Sequence, residues 1–339
     1  MSKIAVVLFN LGGPDNLNAV QPFLFNLFND PHIINLPAPL RFLLAKFISS
    51  RRQIKSQQIY KQINNQSPIL SETTKQASAL EKLLNQKNSN NKFTVFIAMN
   101  YWHPFIADTV QKVYNTKPDT IILLPLYPQY STTTLSAFDR WYESAKQYKT
   151  IQTHHICCYS GHRDFINAHV KSIKTTLKKI KEKDFRILFS AHGLPVSIIK
   201  NGDPYQWQIE HSTKHIVTKL GLNKQQYTIC YQSKVGPKKW LEPNIKDEII
   251  KSGRKKESLI IVPISFVSEH SETLVELDIE YAKLAKQYHV PEYYRIPALG
   301  CKTDFINSLA TLCMDKLSNQ KSFYNTKYCP SNFCKCYQC

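Results

Sequence analysis

The chain is short of glycine and has no long hydrophobic run. Only nine glycines occur in 339 residues, where average usage of about 7% would give roughly two dozen. The longest apolar runs, such as IILLPL at 121–126, are far shorter than the roughly twenty residues of a membrane-spanning helix. The N-terminus, MSKIAVVLFNLGGP, lacks the length and the small-residue cleavage site of a signal peptide. We therefore expect a cytoplasmic protein that is soluble or peripheral on a membrane.

Acidic residues are scarce relative to basic ones. The 44 Lys and Arg residues against 25 Asp and Glu give a formal charge of +19, which attracts anionic lipid, nucleic acid or acidic small molecules over long range. A drift in residue usage, with the charge spread over solvated faces, explains the excess equally well. No basic stripe with interleaved aromatic residues is recognisable, so we expect no nucleic-acid partner.

Cysteine is present in an odd number and is concentrated at the C-terminal end. There are nine Cys residues, and this arrangement favours a metal or cluster site in a reducing compartment over a disulfide framework. The tail CPSNFCKCYQC places four thiols within eleven residues: Cys329, Cys334, Cys336 and Cys339. They are close enough to share one metal or iron–sulfur centre. A tail of free thiols, or adventitious zinc, remains an open alternative.

Short β-branched runs separated by helical stretches predict an α/β fold. The runs are nearly all apolar, which is typical of parallel strands buried on both faces; they lie at 3–10, 92–100, 120–126, 185–192, 227–233 and 259–266. The chain exceeds what one hydrophobic core usually organises, so two domains are expected. We predict an N-terminal domain at 1–162, a C-terminal domain at 163–302, a C-terminal helix packing back on the body at 303–326 and a Cys-rich tail at 327–339.

Polar residues after these strands are the first candidates for function, because ligands of open α/β sheets lie beyond the carboxyl ends of the strands. The run FRILFSAH ends in His192, which opens the loop HGLPVSIIKNGDPY. Imidazole can accept a proton from a substrate or donate a lone pair to ferrous iron. Taken alone, a histidine in a loop is more often structural.

A row of carboxylates follows the last predicted strand. Ser268 is a plausible N-cap, and the acids after it recur at helical spacing: Glu269, Glu272, Glu276 and Glu280. Like charges at this spacing destabilise an exposed helix, so the row calls for a cation. An acidic solvated face, partly neutralised by Lys283 and Lys286, is the alternative. With His192, a carboxylate oxygen from this row could hold ferrous iron without trapping it.

The chain resembles the ferrochelatases along nearly its whole length. Six segments match that family's motifs in order: FNLGGPDN, MNYWHP, LYPQYSTTT, SAHGLPVSIIKNGDPY, YQSKVGPKKWLEP and PISFVSEHSETLVELDIEY. The resemblance implies two Rossmann-like, chelatase-type domains with parallel four-stranded sheets flanked by helices, and an apolar cleft that takes the macrocycle. It also implies a lyase that inserts Fe²⁺ into protoporphyrin IX, releases two protons and forms protohaem in the terminal step of haem biosynthesis.

The resemblance assigns roles to the polar residues described above. His192 and Glu272 match the family's metal-site pair, while His270, Glu276 and Glu280 match the adjoining polar row that carries protons away or brings iron in. Whether His192 mainly abstracts a pyrrole proton or mainly binds iron stays open. The catalytic candidates are therefore His192, Glu272, His270 and Glu276.

Residues of the matching motifs are also candidates for holding the porphyrin. Aromatic rings could grip the macrocycle: Tyr101, Trp102, Tyr127, Tyr130, Trp141 and Trp240. Arg140, Ser131 and Thr132 could hold its propionates. Apart from Tyr130, Arg140 and Trp240, each is individually expected in the core or at the rim. Some family members hold a [2Fe-2S] cluster with three C-terminal Cys ligands and one upstream, for which Cys157 or Cys158 is the candidate here.

The segment PLRFLLAKFISSRRQ at 39–53 mixes apolar and basic residues in the pattern of an interfacial helix. It predicts transient association with an anionic membrane surface, on the inner face of the cytoplasmic membrane, although an amphipathic helix facing the core fits equally well. Two other functions remain open: a non-catalytic haem or porphyrin carrier, and a chelatase for another metal or tetrapyrrole such as cobalt or coproporphyrin.

Overall fold

The computed structural model describes residues 1–181, 184–234, 236–318 and 329–336. The chain forms two compact units. The first comprises residues 1–126, 131–157 and 309–318 of the described chain, and the second comprises 127–130, 158–181, 184–234, 236–308 and 329–336. The predicted domain boundary at residue 162 stays a prediction. None of the helices in these ranges is long and apolar enough to cross a membrane.

The first unit is built on a parallel four-stranded sheet of order β2-β1-β3-β4. Its strands are β1 (Ser2–Asn10), β2 (Asn91–Met99), β3 (Thr120–Pro125) and β4 (Gln152–His155). Its helices are α1 (Val20–Phe28), α2 (Ala38–Lys61), α3 (Ile69–Lys87), α4 (Ile106–Asn115) and α5 (Ser136–Ala145). The side chains of β3 are all buried, as expected for a central parallel strand covered on both faces.

The second unit repeats this architecture with the sheet order β6-β5-β7-β8. Its strands are β5 (Phe185–His192), β6 (Tyr227–Gln232), β7 (Ser258–Pro263) and β8 (Tyr293–Arg295). Its helices are α6 (Arg163–Leu177), α7 (Val196–Lys200), α8 (Tyr205–Leu220), α9 (Ile245–Lys255), a π-helix (Glu272–Glu280) and α10 (Tyr281–Gln287). A last helix, α11 (Thr303–Leu317), contributes residues to both units.

The predicted fold class is confirmed: both sheets are parallel, four-stranded and flanked by helices. All six predicted strands are present with small changes at their ends. The C-terminal helix begins where predicted but ends at Leu317, and residues 319–326 of the predicted range lie outside the described residues.

The acidic segment differs from its predicted form. It is a π-helix over Glu272–Glu280 that continues into α10, and Ser271 precedes it without a side-chain capping hydrogen bond. Ser268 is therefore not the N-cap, and Glu269 lies before the helix rather than on it. Single π-helical turns occur mostly inside α-helices and often at functional sites.

Candidate active site

His192 is the last residue of β5, and its backbone is fixed on both sides. Its N–H donates to Ser265 Oγ at 3.1 Å, and its carbonyl oxygen accepts from the Tyr205 hydroxyl at 3.1 Å. At the next residue, Gly193, a Cβ would lie 2.7 Å from the Gln232 carbonyl oxygen and 3.2 Å from the Trp240 ring. A side chain at this position would force these groups apart, so glycine is required where the loop after His192 begins.

The His192 imidazole is paired with Glu272. Nδ1 of the ring lies 2.8 Å from Glu272 Oε2, and 38% of the His192 side chain remains exposed. An ionised carboxylate can only accept a hydrogen bond, so the Nδ1–H donates to it. In the neutral ring this tautomer leaves the lone pair on Nε2, where it is available to a proton or to a metal ion.

A second carboxyl group, that of Glu276, shares its partners with Glu272. The Ser233 hydroxyl lies 3.1 Å from Glu272 Oε2 and 2.9 Å from Glu276 Oε2, and so bridges the two side chains. The Gln232 amide donates to Glu276 Oε2 at 3.1 Å and is itself held by the Ser190 hydroxyl at 2.6 Å. Ser233 has a φ of 62°, a left-handed conformation that costs a non-glycine residue about 1 kcal/mol or more.

This arrangement moves the pKa values of the two carboxyl groups apart. Burial disfavours ionisation of both, but the His192 imidazolium attracts and hydrogen-bonds Glu272 and lowers the pKa of that carboxyl. Burial and the adjacent Glu272 charge raise the pKa of Glu276 to about 7. Although burial disfavours the charged ring, the Glu272 carboxylate outweighs it and raises the pKa of His192. Neighbouring groups with separated pKa values are typical of acid–base sites.

The other members of the predicted row have different environments. His270 is buried, donates from Nδ1 to the Ser268 carbonyl oxygen at 3.1 Å, and has a pKa lowered chiefly by burial. Glu269 accepts from Arg295 at 2.6 Å and from the Ala298 N–H at 2.8 Å, so its role is structural. Glu280 is exposed. The predicted single stripe of four acids is therefore wrong, and the site contains the Glu272–Glu276 pair.

Two of the predicted porphyrin contacts are core residues. Trp141 and Tyr101 are each 1% exposed. Trp141 packs edge-on against Phe9 with ring centroids 5.9 Å apart, and the Tyr101 hydroxyl donates to Asp30 at 2.9 Å. Both side chains therefore lie in the core, as expected for each of them taken individually, and their contact with the macrocycle stays a prediction.

The remaining porphyrin candidates are placed as follows. Tyr130 and Ser131 are buried, while Trp102, Tyr127 and Thr132 are partly exposed. Arg140 donates to the Asn100 carbonyl oxygen and, at 3.0 Å, to Asp30. Trp240 packs against Gly193, beside His192.

Among the thiols, Cys158 and Cys329 lie on either side of one amide. Gln208 Nε2 is 3.4 Å from Cys158 Sγ and 3.1 Å from Cys329 Sγ, and Cys329 is hydrogen-bonded to Cys336. Cys334 lies apart, with Sγ 3.9 Å from the Asn201 carbonyl oxygen. Cys339 lies outside the described residues. Within the described ranges, no three His, Cys, Asp or Glu side chains are arranged to hold a metal ion.

Sequence reasoning missed three residues that organise these sites: Gln232, Ser233 and Asp30. Gln232 and Ser233 stand at the carboxyl end of β6, so the rule that located His192 could have found them. No sequence signal marked Asp30, which is fully buried and accepts hydrogen bonds from Tyr101 and Arg140.

Two parallel four-stranded units flanked by helices, with a histidine–glutamate pair at the carboxyl end of a central strand in one of them, form a chelatase-type fold. Solved structures share this fold. The sirohydrochlorin chelatase SirB from Bacillus subtilis subspecies spizizenii aligns with a TM-score of 0.56 at 11% identity, over 94% of this chain and 97% of that one. CbiX, described as the terminal enzyme for biosynthesis of siroheme in denitrifying bacteria, aligns with a TM-score of 0.51 at 12% identity, over 93% and 100%.

The chain belongs to the ferrochelatase family. The family's sequence model matches residues 3–317. The chain is 48% identical to a ferrochelatase of Pelagibacter ubique over 98% of both chains. It is 52% identical to one of Wolbachia over 92% of this chain and 99% of that one, and 49% identical to one of Rickettsia felis over 98% and 97%. The family predicted from the motifs, a family of lyases, is thereby confirmed.

Proposed function

We propose that this chain inserts ferrous iron into protoporphyrin IX and forms protohaem in the terminal step of haem biosynthesis. The observation that carries the proposal is the His192–Glu272 hydrogen bond of 2.8 Å, at the end of β5, in a chain of the ferrochelatase family. Porphyrin and ferrous iron are the substrates.

Insertion replaces two pyrrole N–H bonds by bonds from the pyrrole nitrogens to iron and releases two protons. Nε2 of neutral His192 accepts a pyrrole proton, and the Glu272 carboxylate stabilises the imidazolium that forms. Glu276, whose pKa is raised to about 7, then takes up and releases protons near neutral pH. Ser233 lies within hydrogen-bond distance of both carboxylates and orients them.

The deciding experiment is anaerobic insertion of Fe²⁺ into protoporphyrin IX, followed by the loss of porphyrin fluorescence, in the wild type and in His192→Ala. A general base contributes about 10²- to 10⁴-fold, so we expect His192→Ala to bind porphyrin and to lose turnover by at least about 10²-fold. Porphyrin binding without turnover in the wild type would instead favour a carrier or a chelatase for another metal. Equal turnover in both proteins would refute the role of His192.

We further propose that Arg140, Ser131 and Thr132 hold the porphyrin propionates and that Tyr130 and Trp240 contact the ring. Arg140 supports this, because its side chain is 36% exposed although it is anchored to Asp30. Arg140→Met should raise the KM for protoporphyrin more than it lowers kcat, since a propionate contact is made before the chemical step. A fall in kcat at constant KM would contradict the proposal.

We propose a cytoplasmic protein that attaches peripherally to the inner face of the cytoplasmic membrane through α2. In its first half this helix buries only two small side chains, Ala45 and Ser49, whereas Leu43 and Phe47 are 63% and 58% exposed. Basic side chains flank the exposed apolar ones, and Arg51 lies 5.2 Å from the Phe47 ring centre. Large apolar side chains facing solvent beside cations suit an anionic lipid surface.

The proposal also includes a [2Fe-2S] cluster held by Cys residues of the tail and Cys158. Cys158 and Cys329, which lie on either side of the Gln208 amide, would be two of its ligands. Further thiols of the tail would have to close on them, because no three ligand side chains of the described ranges are arranged to hold a metal ion. A cluster there would supply one-electron chemistry. The separate position of Cys334 makes it the natural control.

Iron and acid-labile sulfide analysis of anaerobically purified protein tests the cluster. We expect both elements in the wild type and in Cys334→Ala, and neither in Cys158→Ala. Zinc alone, or an iron-free and sulfide-free wild type, would end the hypothesis.

A further inference from the structure

Two histidines on α8, His211 and His215, face each other one helical turn apart. Their Nε2 atoms are 3.2 Å apart, and their ring centres are 4.4 Å apart. Two N–H groups cannot point at each other at this distance, so at least one Nε2 presents a lone pair to the other. The spacing i, i+4 places both residues on one face of the helix.

We propose that His211 and His215 form a binding site for a divalent first-row transition metal ion, separate from the iron-inserting site. Imidazole–metal bonds of about 2.1 Å, at angles between about 90° and 109°, hold two ligand nitrogens roughly 3.0 to 3.4 Å apart. The observed 3.2 Å lies within this range. One metal ion could therefore bind both rings at this nitrogen spacing, with a rotation of the rings that points both lone pairs at the ion.

The surroundings hold one of the two rings in place. The Trp207 ring lies over His211, with centroids 4.8 Å apart and planes 30° apart, and Trp207 in turn packs against Phe333 at 5.9 Å. A ring held in this way loses less freedom when it binds a metal. His215 is exposed, so water can reach the ion and fill its remaining positions.

The donor set determines which metal ions fit. Across the described ranges no third His, Cys, Asp or Glu completes a metal-holding group, so the site offers two imidazoles and water. Imidazole suits Zn²⁺, Ni²⁺ and Cu²⁺, and affinity at such sites rises from Fe²⁺ to Cu²⁺. The site should accordingly bind Ni²⁺ or Zn²⁺ more tightly than it binds the ferrous substrate.

Calorimetric titration of the full-length protein with Ni²⁺ tests the proposal. The wild type should bind one more equivalent of Ni²⁺ than His215→Ala. Removing one of the two imidazoles should weaken Ni²⁺ binding at this site by at least about tenfold, so the variant leaves the site empty at concentrations that fill it in the wild type. Because the comparison is a difference, nickel bound to His192 or to the thiols cancels. The same stoichiometry and affinity in both proteins would overturn the proposal.

A matched double variant tests the spacing itself. His215→Thr combined with Thr218→His keeps the composition, and both positions are exposed, but it moves the second imidazole to seven residues from His211. That separation is about 10.5 Å along the helix, too far for one ion. We expect this variant not to bind the additional Ni²⁺ ion. Without metal, its melting temperature should equal that of the metal-free wild type.

A local readout distinguishes this pair from other nickel sites. Ni²⁺ bound at His211 should quench the fluorescence of Trp207, which lies 4.8 Å from that ring. The quenching should be lost in the double variant, and it should also be lost in Trp207→Phe, which should still bind the extra equivalent. Quenching that persists in the double variant would place the ion elsewhere.

Discussion

At the scale of single residues, the site depends on two carboxyl groups that share a hydroxyl. Ser233 lies within 3.1 Å of both Glu272 and Glu276, but one hydroxyl has a single proton to donate. Because the two charges are so close, the group nearer to His192 ionises and the other is held partly protonated. One pair thus contains a fixed counter-ion for the imidazolium and a carboxyl group that can exchange protons near pH 7.

The counter-ion role predicts a shift in the pH profile. In Glu272→Gln the loss of the carboxylate should lower the pKa of His192, which is raised in the wild type mainly by that charge acting against burial. Because the base must be neutral to accept a proton, the acidic limb of kcat/KM should move to lower pH. The maximal rate should fall about 10²-fold or more, because the carboxylate no longer stabilises the imidazolium that forms. Steady-state insertion assays across pH would measure both effects.

Glu143→Gln is the matched control, since it makes the same change of charge at a carboxylate that is 72% exposed. Its profile should match that of the wild type. A Glu272→Gln profile that keeps its acidic limb would show that His192 is not the group that titrates.

The proton-exchange role predicts a different outcome for Glu276→Gln. The amide keeps the hydrogen bond from Ser233 but cannot take up a proton, so turnover should fall by about tenfold or more while porphyrin affinity is retained. The measurement is kcat together with the porphyrin Kd from fluorescence. Unchanged turnover would remove Glu276 from the proton path.

Site residues could be predicted from the sequence when they adjoin an apolar strand or belong to a specific motif. His192 and Glu272 stand next to apolar strands and belong to specific motifs, so sequence located both. An aromatic residue in a motif can bind a ring or fill the core, so the motifs alone could not separate these two roles for Trp141 and Tyr101. Only the packing against Phe9 and the bond to Asp30 place the two side chains in the core.

At the scale of elements, the apolar central strands were predictable and the polar edge strands were not. β4 is QTHH and β8 is YYR, segments without a buried strand's apolar run, and their pairing is visible only in the folded sheets. The π-helix was predicted as an α-helix because the spacing of its carboxylates fits both. The hydrogen-bond pattern of this helix depends on its packing in the folded chain, where Arg295 of β8 forms an ion pair with Asp278 of the helix.

That ion pair predicts a loss of stability. Arg295 of β8 is 8% exposed and binds Glu269, before the π-helix, and Asp278, within it. Arg295→Met would leave a largely buried carboxylate without its cation, which costs about 3 kcal/mol or more. Urea unfolding at pH 7 would measure the difference, and a change below about 0.5 kcal/mol would contradict the role assigned to Arg295.

The same pair has a defined pH dependence. Burial opposes ionisation of Glu269, but Arg295 outweighs it and the pKa of Glu269 is lowered in the folded state. A lowered folded pKa gives stability that is present above the unfolded pKa, and that stability is lost as pH falls through the folded value. The difference between wild type and Arg295→Met should therefore shrink in acid.

At the scale of the whole molecule, charge and exposed apolar surface act together. The formal charge of +19 attracts an anionic surface over about 10 Å at 0.1 M salt. Charge alone would give an association without a fixed orientation. The exposed apolar side chains of α2 add a short-range hydrophobic contribution at one place on the surface. Lipid binding should therefore require both the positive charge and these side chains.

Vesicle co-sedimentation separates the two contributions. Wild-type protein should bind phosphatidylglycerol vesicles more tightly than phosphatidylcholine vesicles, and raising the salt to about 1 M should weaken binding, because the screening length falls to about 3 Å. The double variant Leu43→Gln with Phe47→Gln should lose binding by about tenfold or more at low salt, since burying one such side chain contributes about 1.5–3 kcal/mol. Ile279→Gln, which alters a 39% exposed apolar residue of the π-helix, should bind as the wild type does. Equal binding by the double variant and the control would show that charge alone accounts for the association and that α2 does not insert.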